Sequence, residues 1–78
     1  MHNFVMPESI AKDTVGGTTI STVKLNSAGW GYETCMFYAN GDSNVVAVNA
    51  TAKEALTTHL HIVLHEQQHL DVANKQQT

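Results

Sequence analysis

The chain contains no arginine, one cysteine, one proline and only five aromatic side chains in 78 residues. Each shortage excludes something. Four lysines against seven acidic residues leave a formal net charge of −3. Without clustered Lys/Arg there is nothing to displace counterions from a phosphate backbone, so no nucleic-acid partner is expected. The lone Cys35 cannot build an internal disulfide framework and fits a reducing compartment. No apolar run approaches the roughly 18–20 residues needed to span a bilayer, and no signal-peptide pattern opens the chain. The expectation is a cytoplasmic protein with no membrane partner.

What the sequence does contain is enough apolar character to fold. The 42% hydrophobic and 14% charged fractions fit a globular chain rather than a disordered one. Residues 1–78 make a single small domain, with no repeat, low-complexity run or dividing linker. At this size only about 60–65% of the unfolded surface is hidden on folding, so the core is marginal unless a partner adds to it.

Residues 1–17 form an N-terminal segment in which Pro7 and Glu8 could open a short helical turn, broken by Gly16-Gly17. The β-branched run Thr18 to Leu25 reads as a first strand, Asn26 to Gly31 as a loop, and Tyr32 to Ala39 as a second strand. Asn40-Gly41 signals a two-residue hairpin turn before a third strand, Asn44 to Asn49. That turn places Phe37 opposite Asn44, Met36 opposite Val45 and Cys35 opposite Val46. One hairpin face then carries Cys35, Phe37, Val46 and Val48, the other Tyr32, Met36, Tyr38, Val45 and Ala47. Both are apolar, whereas a half-exposed sheet alternates.

The last element is a helix. Thr51-Ala52-Lys53-Glu54 matches a capping box, and no Gly or Pro follows until past Ala73. At 100° per residue, Ala55, Leu56, His59, Leu60, Ile62, Val63 and Leu70 share one stripe. The expected fold is α+β: a three-stranded antiparallel sheet (18–49) packed by one long C-terminal helix (51–74), in the order β-β-β-α. One helix covers one sheet face, so a second chain is expected on the other. The side chains expected at that contact are Trp30, Tyr32, Met36, Tyr38 and Val45, because large aromatic and apolar groups dominate interfaces.

One chemical motif stands out. His65-Glu66-Gln67-Gln68-His69 is a literal HExxH, in which two histidines one turn apart can hold zinc while the glutamate activates water. A zinc-dependent hydrolase built on His65, His69 and Glu66 is therefore the alternative to a protein without catalysis. Against it, the wheel sets His61, His65 and His69 away from the apolar stripe, and only nine residues remain after His69 to supply a third ligand. His61 and His69 lie about 12 Å apart along the axis, too far for one ion. The reading preferred here is no metal, no cofactor and no catalytic residue. His59 falls on the apolar stripe and is expected to find a hydrogen-bond partner on the sheet. Cys35 reads as an inert strand thiol, since reactive thiols need an electropositive, accessible setting.

The strand Tyr32-Glu33-Thr34-Cys35-Met36-Phe37, the turn Asn40-Gly41-Asp42, and the helix opening Thr51-Ala52-Lys53-Glu54-Ala55 with His59 resemble small uncharacterised proteins of tailed phages and prophages of Gram-positive bacteria. The resemblance covers about residues 32–63. Thr58 stands where those chains usually have Gly before the histidine. The resemblance implies the host-cell cytoplasm or the virion as location, assigns no catalytic residue, and implies that His59 belongs to the scaffold. The function expected is that of a non-catalytic phage or prophage accessory protein acting through protein contacts as a homo-oligomer, with an unidentified protein partner. A narrower alternative is an inhibitor of a host defence system.

Overall fold

A computed structural model describes residues 8–25 and 31–76. Its elements are β1 (Glu8–Val15), β2 (Thr18–Lys24), β3 (Tyr32–Phe37), β4 (Ser43–Asn49) and α1 (Ala52–Gln76). The four strands form one antiparallel sheet in the order β1-β2-β3-β4, each paired with its neighbour in sequence. The α+β class and the C-terminal helix stand, but the three-stranded sheet does not.

The added strand is Glu8–Val15, which replaces the N-terminal segment and its expected helical turn from Glu8 onward; Pro7 lies outside the described residues. Glu-Ser-Ile-Ala-Lys-Asp-Thr-Val is too polar to announce itself as a strand. Pairing with β2 makes it one. Gly16-Gly17 does not merely break what precedes it: it is the two-residue turn of a β1–β2 hairpin, with Val15 paired to Thr18. Gly16 has φ +61°, the positive value that such a turn needs at its first position.

The β3–β4 turn also departs from expectation. Gly41 N–H donates to the Tyr38 carbonyl at 3.0 Å, and Tyr38 N–H donates to the Asp42 carbonyl at 2.8 Å. The loop is therefore the three residues Ala39 to Gly41, not Asn40-Gly41 alone. Only Gly41 takes positive φ (+96°), while the Asn40 side chain accepts from Asp42 N–H at 2.9 Å. This moves the register by one: Phe37 pairs with Ser43, Met36 with Asn44 and Cys35 with Val45.

Helix α1 begins where the capping signal predicts. Thr51 Oγ1 accepts from Glu54 N–H at 3.2 Å, and the Thr51 carbonyl takes the first helical bond from Ala55. At 1.5 Å per residue the helix runs about 37 Å and overhangs a sheet whose strands have six to eight residues. Glu66 is the last described side chain that is even partly buried; residues 67–73 are exposed.

The core between helix and sheet is small: Val15, Ile20, Met36 and Ala55, flanked by the half-buried Ile62 and Val63. Leu56, Leu60 and Leu70, expected on the buried stripe, are exposed instead. The helix is rotated so that Ala55, His59 and Ile62 meet the sheet. No helix of the described residues is long and apolar enough to cross a membrane.

Candidate functional site

Beneath the helix, the central strands carry polar side chains where an apolar core is usual. Thr22 of β2 and Thr34 of β3 pair across the sheet and are essentially inaccessible, at 0% and 1% exposure. Their hydroxyls lie 2.7 Å apart. Thr22 Oγ1 is also 2.8 Å from His59 Nδ1, and His59 Nε2 is 2.7 Å from Asp13 Oδ2. A chain of four side chains thus runs from the sheet centre through the buried imidazole to a carboxylate on β1 that is half in water.

The hydrogens in this chain follow from donor and acceptor capacity. An ionised carboxylate only accepts, so Nε2–H donates to Asp13. In the neutral ring Nδ1 accepts from Thr22, whose oxygen in turn accepts from Thr34. In the charged ring Nδ1–H donates to Thr22, which turns its own hydrogen toward Thr34. Thr22 remains bonded either way. The order carboxylate, imidazole, hydroxyl is that of a hydrolase triad, but the hydroxyl end is sealed, so no substrate can reach it. The expected sheet partner of His59 is thereby identified as Thr22, with Asp13 beyond it. Asp13 was out of sight because its strand was.

The HExxH residues are placed apart from this chain. His61, His65 and His69 are exposed, and Glu66 is half-buried. Among the described residues no group of three or more His, Cys, Asp or Glu side chains is arranged to hold a metal ion. An open depression of about 410 Å³ beside the helix is lined by Asn49, Lys53, Glu54, Thr57, Thr58 and His61. It faces solvent and does not include His65 or His69.

Among the described residues, no element covers the opposite sheet face. Register assigns its rows: Ser9, Val23, Glu33 and Val48; Lys12, Ser21, Cys35 and Val45; Thr14, Thr19, Phe37 and Ser43. Phe37, Val45 and Val48 are 47%, 52% and 63% exposed. They are neighbours because β4 is bulged: between Thr34↔Ala47 and Cys35↔Val45, Val46 has no partner. Val45 thus shares a face with Cys35 and Val48, not with Met36 and Tyr32. Cys35 sits in the middle of this face, its thiol 3.5 Å from Glu33 Oε1. Burial, then the hydrogen bond to Glu33 and the Glu33 charge, push the thiol above its ordinary pKa.

The expected contact residues therefore divide. Val45 lies on the open face, and Tyr38, 37% exposed, follows the end of β3. Met36 is in the core and Tyr32 is half-buried on the helix side, so neither belongs to the open face. Trp30 lies outside the described residues. Phe37 and Val48 had been assigned to the face opposite Val45; the bulge unites all three. The sheet edges also differ: β1 carries Glu8, Lys12 and Asp13, whereas Ser43–Asn49 has no charge and no proline to discourage pairing.

No protein-family model matches this chain, and neither the curated proteins nor the solved structures contain a match to it.

Proposed function

We propose that this protein performs no reaction of its own and acts through protein contacts, as a homo-oligomeric accessory protein of a tailed phage or prophage. The observation that carries the contact reading is the sheet face opposite the helix, where Phe37, Val45 and Val48 are exposed together. The phage setting rests on the resemblance of residues 32–63.

A second copy is the occupant that best suits this face. Its charged positions are one lysine, Lys12, and one glutamate, Glu33. The face is thus neutral within a chain of net charge −3, and it neither steers toward a charged partner nor repels its own copy. Four strands about 4.8 Å apart, with six paired residues rising about 3.3 Å each, make a face of roughly 400 Å² in plan. With side-chain relief counted, two such faces together approach the roughly 1,200 Å² floor of specific interfaces.

The test is sedimentation velocity across a concentration series, comparing the native chain with Val48→Lys. Val48 touches no core residue's face, so the variant should keep its circular dichroism spectrum. The native chain should associate at micromolar concentration and Val48→Lys should do so distinctly less. A native chain that is monomeric throughout would sink the reading.

A further inference from the structure

The outer flank of α1 carries a second apolar feature that neither the sheet nor the core uses. Leu56, Leu60 and Leu64 succeed one another at four-residue steps and are 45%, 54% and 48% exposed. Charges frame them on the same flank: Lys53 before and Asp71 after, both exposed. Lys53 and Asp71 are eighteen residues apart, five turns of 3.6, so they share one azimuth about 27 Å apart along the axis. Among the described side chains, neither is in an ion pair.

We infer that this flank pairs with the same flank of a second copy, the two helices antiparallel about a twofold axis at the level of residue 62. That register follows from the positions of the charges and leucines. The midpoint of Lys53 and Asp71 is residue 62, and so is the midpoint of Leu60 and Leu64. In an antiparallel pair centred there, Lys53 of each copy meets Asp71 of the other, Thr57 meets Gln67, and Leu60 meets Leu64. These positions also follow a 3.5-residue seam (53, 57, 60, 64, 67, 71), so the layers persist at the shallow crossing of long helix pairs. Leucines occupy the centre, neutral polar side chains the next layers and opposite charges the ends.

The helix dipole argues for the same partner. Lys53 lies in the first turn, where a cation is unfavourable, so it has the wrong sign for its own helix end. In the antiparallel pair Asp71 of the partner comes beside that first turn, where an anion is favourable, and Lys53 gains an opposite charge. The leucine ridge by itself would accept any apolar helix; the charge placement selects a second copy. This contact is separate from the open sheet face and stands without it.

A charge-swap experiment tests the pairing. Lys53→Glu sets two Glu–Asp contacts across its own dimer, and Asp71→Lys sets two Lys–Lys contacts. Each variant alone should dimerise about tenfold or more weakly than the native chain. An equimolar mixture should recover association, because a heterodimer of the two restores both attractive pairs. Lys53→Glu also corrects the sign in the first turn, so its monomer melting should not fall, and recovery of association in the mixture shows that both variants fold. The measurements are made in the native chain and in Val48→Lys, by sedimentation equilibrium. Single variants that associate like their parent overturn the inference, as does a mixture no better than its components. A Val48→Lys chain that is monomeric at the highest concentration overturns it too, while leaving the sheet-face reading intact. Conversely, a Val48→Lys chain of unchanged mass that still responds to the charge swaps removes the sheet-face reading alone.

Discussion

Val45 and Val48 are three residues apart on one strand and yet stand on the same face of the sheet. Regular alternation would set them on opposite faces. The unpaired Val46 between them absorbs the extra residue, and its effect is to set Val45 and Val48 on the same face as Phe37, the side the helix does not cover. The helix covers instead the face that carries Thr22 and Thr34. Phe37, Val45 and Val48 stay exposed on the other face, which is why the protein-contact reading rests on it.

Cys35 reports on that face. Its raised pKa, from burial first and Glu33 second, makes the native thiol a weaker nucleophile than a free one. Alkylation at mildly alkaline pH should be slower for the native chain than in denaturant, and it should slow further as protein concentration rises and copies cover the face. The linkage has a definite sign. A thiol that ionises less readily when folded leaves stability untouched below the ordinary thiol range, and stability falls as pH rises through that range toward the raised value. Equal alkylation rates for the native and unfolded chains would contradict the assignment.

The buried polar chain makes a different prediction. Thr22→Val keeps the shape but removes the hydroxyl shared by His59 and Thr34, leaving a buried ring nitrogen and a buried hydroxyl short of a partner. Unfolding in denaturant should show a loss of about 1–3 kcal/mol. Asp13→Asn should cost less, because an amide oxygen still accepts from Nε2–H and the site is half in water. A Thr22→Val chain as stable as the native one would mean that the hydroxyl contributes no net stability.

The HExxH motif is the third test. His65 and His69 are exposed and no third described ligand is grouped with them, so zinc should bind weakly and leave on dialysis against chelator. Metal analysis of untagged protein should find far less than one zinc per chain, and Glu66→Gln should match the native chain in every hydrolase assay. One tightly held zinc per chain, with unfolding on chelation, would restore the zinc-hydrolase alternative.

Some of this protein was determined by sequence alone. The helix start at Thr51 to Glu54, its length, and three of the strands follow from local signals: a capping side chain, the absence of Gly and Pro, and β-branched runs. These depend on neighbours a few residues away, and a sequence displays its neighbours. The shortage of basic residues and the HExxH spacing were equally plain.

Tertiary structure decided the rest. Residues 8–15 become a strand only because β2 offers them an edge, their own composition being too polar to demand it. The three-residue loop and the bulge at Val46 set which valines share a face, and both are properties of the β3–β4 pairing rather than of either strand. The helix azimuth was ambiguous for the same reason. Leucines at 56, 60 and 64 and the set Ala55, His59 and Ile62 each make a helical stripe, and periodicity cannot choose between them. Asp13 and Thr22 choose, because an imidazole between them bonds both at once, which a leucine cannot do. That choice turns the leucines outward, and the composition that was short of charge and of core thereby leaves two apolar surfaces exposed.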